Sequence, residues 1–397
     1  MVRPTFEVAD VIRVHGESLL KLHGAKLSSR QHNILRKLAE CRTAALGGHV
    51  ESCDTCGHQR ISYNSCRDRH CPKCLGSASA AWFRARAEDL LPVPYFHVVC
   101  TLPHELAPIA KQNPAVVYSL LMRCAAESLL QVAAYPRPLG ARIGFFGVLH
   151  TWGQKMDLHP HVHFVVPAGG ISLDGTRWVH CRKNFLVPIR VLRNVFRAKF
   201  LDELQQLFEQ SKLSFYGSLE HLREPHKFDS LVRKLRKKKW VVYSKPPFGG
   251  PEQVLKYLAR YTHRVAISNH RLLALDESGV TFGWKDYATG AATRSIKLVG
   301  AEFLRRFLQH VLPKGFVRIR HYGLLAHRNR DAKVAICREL IAESGSTLPA
   351  QKVTETATDP CVTDALEPGA RCPACKQGRM IKTEMIARTD ADSAKLI

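Results

Sequence analysis

The chain has 397 residues, 45% of them hydrophobic and 8% aromatic, with 59 Lys+Arg against 34 Asp+Glu and a formal net charge of +25. That length suits two or three packed units, and the overall composition is that of a globular protein and not of a disordered chain. No stretch reaches the roughly 18 uninterrupted apolar residues of a membrane span. The opening residues Met1-Val2-Arg3-Pro4-Thr5-Phe6-Glu7 lack a basic segment followed by an apolar one, so an intracellular protein is expected. The basic excess favours a polyanionic partner, nucleic acid ahead of an anionic membrane surface. Thirteen cysteines, several in C-x-x-C pairs, point to metal and not to disulfides.

Ser28 and Ser29 with Gln31 predict a capped helix running to about Leu46, with Ile34, Leu35 and Leu38 on one face and Gly47-Gly48 as its stop. The cysteine-rich stretch Cys53 to Cys74 follows, then a short helix around Trp82 to Leu91 closed by Pro92-Val93-Pro94. Strand-like and helix-like runs then alternate. They begin with Tyr95 to Thr101 and a helix from about Pro114 to Ala134. Ile143 to Trp152 and Pro160 to Val166 read as an antiparallel hairpin around a short polar turn. Leu192, Val195, Phe196, Phe200, Leu204, Leu207 and Phe208 recur at helical spacing within a helix from about Pro188 to Leu213.

A basic run from Leu231 to Lys239 leads into the strand Trp240 to Tyr243. Pro251 then opens a helix through about His263. Residues 265 to 300 read as short strands, 301 to 312 as a helix, and beyond Ser344 the chain turns polar and Thr-rich. The expected division is a helical and zinc-binding unit over 1–91, a central unit over 92–270, a basic α/β extension over 271–345, and a flexible tail with a C-x-x-C pair over 346–397. The fold class expected is α+β.

Cys53-x2-Cys56 and Cys71-x2-Cys74, fourteen residues apart, have the spacing of two knuckles that present four thiolates to one structural zinc ion. Cys66 and His70 lie inside the loop and could replace a ligand or help bind a second ion; redox pairs or free thiols are the alternative, which two pairs at this distance disfavour. A closed site of this kind stabilises a small module, here one expected to offer Arg60, Arg67, Arg69 and Lys73 to DNA. Cys372 and Cys375, with Cys361 or a remote residue, form either another zinc site or surface thiols.

In His159-Pro160-His161-Val162-His163, strand periodicity puts His161 and His163 on one face, where two imidazoles can hold a divalent ion. Folding of the hairpin about Gly153 to Asp157 brings His150 opposite His161. His150 is therefore the first choice for a third ligand, with Gln154, His159 and Gln253 as alternatives. Further along, Tyr257 and Tyr261 fall four residues apart on one helical face, among Lys256, Arg260 and Arg264. Those cations can hold phosphate and favour phenolate; in isolation the same pattern describes amphipathic core tyrosines.

The run Leu149-His150-Thr151-Trp152-Gly153-Gln154, then His159-Pro160-His161-Val162-His163, then Tyr257-Leu258-Ala259-Arg260-Tyr261, preceded by the cysteine module, resembles the Insertion Sequence 91 family of two-tyrosine rolling-circle transposases. The resemblance covers roughly residues 25 to 335. It implies an HUH-endonuclease-like antiparallel sheet flanked by helices, with His161 and His163 at its centre holding catalytic Mg²⁺ or Mn²⁺, and a structural Zn²⁺ in the preceding module. It also implies that Tyr257 and Tyr261 attack single-stranded DNA at transposon ends and target, leaving a 5′-phosphotyrosine and a free 3′-OH. A cytoplasmic, nucleoid-associated bacterial protein follows, with host replication machinery a further partner.

A plasmid rolling-circle replication initiator or relaxase would share both motifs, but no GxxxxGK[ST] helicase motif is present. A non-catalytic zinc-containing DNA-binding regulator would bind DNA without a covalent product. Arg318, Arg320, His321, Arg328 and Arg330 are expected along the DNA path.

Overall fold

A computed structural model describes residues 4–74, 90–137, 139–246, 266–326, 329–345 and 370–389. The first part holds α1 (Val8–His23), α2 (Ser29–Glu40), β1 (Gly48–Cys53), β2 (Gln59–Tyr63), β3 (Tyr95–Thr101), α3 (Ala107–Gln112) and α4 (Pro114–Ala134). The middle holds β4 (Ala141–Arg142), β5 (Gly144–Trp152), β6 (Leu158–Pro167), β7 (Gly169–Ser172), β8 (Trp178–His180), α5 (Ile189–Glu209), α6 (Pro225–Lys237) and β9 (Val241–Lys245). The last part holds β10 (Leu272–Asp276), β11 (Gly279–Asp286), β12 (Ala292–Leu298), α7 (Gly300–Leu308), β13 (Ile319–Gly323), α8 (Arg330–Glu343) and β14 (Met380–Ile386).

The central sheet has five strands in the order β13-β5-β6-β3-β9, each antiparallel to its neighbours. Alternation assigns its two faces. Phe96, Val98 and Cys100 of β3, Phe145 and Leu149 of β5, and Val162, Phe164 and Val166 of β6 share one core with α4 and with Leu192, Phe196 and Phe200 of α5. The α4 helix is long and apolar enough to cross a membrane, yet most of it is buried in this core. On the opposite face Tyr95, Phe146, Val148 and Val165 pack with Val334, Cys337 and Ile341 of α8. Further along that face stand the histidines. The α+β class and the antiparallel sheet flanked by helices are as the sequence predicts.

A second core joins α1 and α2 to Leu272, Val280 and Phe282 of the β10-β11-β12 sheet and to Phe303, Leu304 and Phe307 of α7. Segments expected as separate units, 1–91 and 271–345, therefore bury one another. The strand β13, also assigned to the extension, pairs with β5 in the central sheet. The tail expected to be flexible contributes β14, which pairs with β1.

The predicted capping box at the start of α2 is present: Gln31 N–H donates to Ser28 Oγ at 3.3 Å, and Ser28 N–H to the Gln31 side chain at 2.9 Å. The helix stops at Glu40 and not near Leu46, because Cys41 is extended and Arg42 left-handed, with φ 58°. The basic run after Leu231 belongs to α6, whose Phe228, Val232 and Leu235 are buried while the charges face outward. The helix expected around Trp82 and the one opened by Pro251 lie outside the described residues, apart from the end of the former.

Candidate functional site

The β5-β6 hairpin sets the histidine cluster. Its turn is closed by Gly153 N–H donating to Asp157 O at 2.9 Å and anchored by Met156, which is buried in the second core. This register places His150 opposite His161, and His163 between Val148 of β5 and Val99 of β3. One ring nitrogen from each of His150, His161 and His163 lies within 4.8 Å of the others. Ring centroids are 5.4 Å apart for His150 and His161, 4.5 Å for His150 and His163, and 4.7 Å for His161 and His163.

The rings are held from behind. Nδ1 of His161 is 2.6 Å from the carbonyl of His159, to which its N–H donates. Nδ1 of His163 shares a 2.7 Å hydrogen bond with Nε2 of His97, and the two rings lie nearly coplanar, edge to edge, with centroids 4.9 Å apart and 3° between planes. Trp152 stacks on His150 at 4.5 Å. Loss of hydration lowers the pKa of His161 to about 4, and that of His97, which also feels Lys245, to about 3. His163 is pushed well below its ordinary value by burial and then by His150 and His161. His161 and His163 are thus neutral near pH 7, the form a metal ligand needs. His97 carries no sequence signal, since only β3-β6 pairing brings it to a partner 66 residues away.

Of the alternatives for a third ligand, His159 supplies its carbonyl to His161, Gln154 accepts from Lys285 N–H at 3.4 Å, and Gln253 lies outside the described residues. So do Tyr257, Tyr261, Lys256, Arg260 and Arg264. The chain enters that segment from Lys245, which pairs with His97, and leaves it at Ala266, which lines a pocket with Trp152 and His310.

The cysteines expected to share one ion divide between two clusters. Cys71 and Cys74 group with Cys41 and Cys66, whereas Cys53 and Cys56 group with Cys372 and Cys375. The antiparallel β1-β2 pairing carries the first pair away from the second, so their spacing in sequence does not become proximity. In the first cluster Cys41 Sγ lies 3.5 Å from Cys74 Sγ, Cys66 Sγ 3.6 Å from Cys74 Sγ, and Cys66 N–H donates to Cys41 Sγ at 3.4 Å. Cys41 was missed because it stands alone, twelve residues before Cys53. His70 is no ligand here: Nδ1 is 2.8 Å from Asp68, and Leu312 N–H donates to Nε2 at 3.2 Å.

Several cations expected to face DNA are half-buried and engaged with other parts of the protein. Arg60 pairs with Glu51, Lys73 with Glu7 at 2.8 Å, and Arg69 donates to the carbonyls of Phe316 and Pro313 at 2.6 and 3.1 Å. Arg320 donates to Ser119 Oγ at 3.3 Å and lies over the Phe316 ring. Arg318 is buried enough to lower its pKa to about 10, and lines the pocket beside Trp152. His321 and Arg330 are half-buried, and Arg328 lies outside the described residues.

A family model described as "Putative transposase" matches residues 144–333, and one described as "Transposase zinc-binding domain", of the Insertion Sequence 91 type, matches residues 11–102. "Putative transposase y4qJ" of Sinorhizobium fredii is 50% identical over 97% of this chain and 96% of its own length. The transposase for insertion sequence element IS801 of Pseudomonas savastanoi pv. phaseolicola is 32% identical over 74% of this chain and 69% of its own. The solved conjugative relaxase TrwC in complex with oriT DNA aligns with 63% of this chain and 73% of its own at 15% identity and a TM-score of 0.23, too distant to add to these matches. With both matched regions in order and a relative aligned almost end to end, the chain belongs to the Insertion Sequence 91 family of transposases.

Proposed function

We propose that this transposase cuts and rejoins single-stranded DNA through tyrosine-linked intermediates at the histidine face of its central sheet. The observation that carries this reading is the convergence of His150, His161 and His163 on one side of the β5-β6 hairpin, with His161 and His163 held neutral by burial. With Nδ1 of His161 and of His163 already hydrogen-bonded, Nε2 is the nitrogen each would give to a cation. Three imidazoles suit Mn²⁺ better than Mg²⁺, a harder ion. A divalent ion held there would polarise the scissile phosphate.

The nucleophile assigned is Tyr257 or Tyr261. The phenol oxygen bonds to phosphorus, the bond from phosphorus to the 3′ oxygen breaks, the phenol proton passes to solvent, and the departing oxygen takes up a proton as a 3′-OH. The 5′ phosphate stays on tyrosine, so the phosphodiester energy is kept for the reverse attack by a second 3′-OH. Two tyrosines provide one link for the donor strand and one for the target. Lys256, Arg260 and Arg264 are assigned to the phosphates, and Arg318, beside Trp152 and Ala266, adds positive charge near the same end of the sheet. Cys41, Cys66, Cys71 and Cys74 are assigned to the zinc ion of the N-terminal domain.

The polarity of the products tests the reading. With an element-end oligonucleotide and Mn²⁺, the fragment 3′ of the nick stays on the protein, and the other fragment ends in a 3′-OH that a polymerase extends. Two protein-free fragments, or capture of the 5′ fragment, would overturn it.

A further inference from the structure

Cys372 and Cys375 lie beyond both matched family regions, which end at residues 102 and 333, yet the fold gives them partners. The β14 strand pairs with β1 from Gly48 opposite Ile386 to Cys53 opposite Met380. This brings the sulfurs of Cys53, Cys56, Cys372 and Cys375 within 4.8 Å of one another, with Cys53 to Cys375 and Cys56 to Cys372 each at 3.7 Å.

The two halves are built alike. Cys53 N–H donates to His58 O at 2.9 Å and Gly57 N–H to Cys53 O at 3.1 Å; Cys372 N–H donates to Gly378 O at 2.7 Å and Lys376 N–H to Cys372 O at 3.0 Å. The residue after each pair is left-handed, Gly57 at φ 70° and Lys376 at φ 59°. Backbone amides point at sulfur in both: Thr55 and Cys56 N–H to Cys53 Sγ at 3.4 and 3.5 Å, and Gly378 N–H to Cys375 Sγ at 3.4 Å. Hydrogen bonds of this kind favour the thiolate. The halves are also braced against each other, because Arg379 N–H donates to Asp54 Oδ1 at 2.8 Å and Asp54 N–H to Arg379 O at 3.1 Å. At Gly378 a Cβ would stand 2.5 Å from Cys53 Sγ, so the closure requires glycine there. Separations of 3.7 Å are far from a disulfide bond of about 2.05 Å, and two facing knuckles present four thiolates to one ion.

We infer that Cys53, Cys56, Cys372 and Cys375 bind a second structural zinc ion, half of the site coming from each end of the chain. It is separate from the Cys41, Cys66, Cys71, Cys74 cluster and independent of the DNA chemistry proposed above. The β1-β2 hairpin gains its third strand and its metal only when residues 370–389 dock. The N-terminal module is thus complete only when residues 370–389 are in place.

Cobalt reconstitution of the full chain tests this. Thiolate-to-cobalt charge-transfer absorption, which an all-imidazole site does not give, should saturate at two equivalents in the wild type and at one in Cys372→Ser/Cys375→Ser. The equivalent left in that variant shows that the other cluster still folds. One equivalent in the wild type, or two in the variant, would overturn the inference. If the variant fails to fold, alkylation of the wild type decides: Cys372 and Cys375 are protected with zinc and react once it is chelated, whereas reaction in the presence of zinc, or a mass showing two disulfides, contradicts the site.

Discussion

The hydrogen bond between His97 and Nδ1 of His163 fixes which side of the His163 ring the proposed cation would meet. Carboxylates or carbonyls often do this for a metal-bound histidine; here a second, buried imidazole does it. His97→Leu is expected to weaken Mn²⁺ binding by about 10- to 100-fold, measured by calorimetry on the full chain. His97→Gln, whose amide can still reach the ring, should recover part of that loss; equal weakening by both would mean that His97 only fills space. His161 and His163 were legible in the sequence because a strand repeats every second residue. His150 was legible because the turn that fixes its register is short. His97 was not, since its partner is reached across a β3-β6 pairing that no local pattern announces.

Elements with strong local signals appear where periodicity puts them: α4 spans Pro114–Ala134 and α5 spans Ile189–Glu209, both set by their apolar spacing. The helix α6 was hidden by its own charges, although Phe228, Val232 and Leu235 already recur at four and three residues. Contacts between distant elements were not legible, and α1 against α7 is the sharpest case. At Gly300, the first residue of α7, a Cβ would fall 2.0 Å from the His15 ring of α1. That ring is buried and bonded to Asp276 O at 3.0 Å, so it has little room to yield. Gly300→Ala should therefore cost about 1–3 kcal/mol by urea unfolding, while Gly283→Ala, whose nearest neighbours are 3.9 Å away, should cost less than half as much. Equal effects would show that α1 does not rest on α7 as described.

At the scale of the whole molecule, the ends of the chain close over its middle. The first helices share a core with residues 266–308, and the last strand completes the first sheet. Sequence spacing alone put Cys53, Cys56, Cys71 and Cys74 around one ion, because pairs fourteen residues apart are adjacent in a simple ribbon. The fold instead supplies Cys41 and Cys66 to one pair and Cys372 and Cys375 to the other. Cys41 and Cys66 stand outside any C-x-x-C pair, and the pair Cys372 and Cys375 is remote from Cys53 and Cys56, with 322 residues from Cys53 to Cys375, so sequence spacing did not show which cysteines share an ion. The family motifs, by contrast, were legible in order, because each is carried by a few contiguous residues. The proposed chemistry joins Tyr257 or Tyr261 to DNA. It is tested most directly by incubating the full chain with labelled single-stranded element-end DNA and Mn²⁺, then separating the products under denaturing conditions beside Tyr257→Phe, Tyr261→Phe, the double variant and His161→Ala/His163→Ala. The account predicts a covalent protein–DNA band that is lost in the double tyrosine variant and in the histidine variant; DNA binding without that band in the wild type, or a band that survives the loss of both tyrosines, would contradict it.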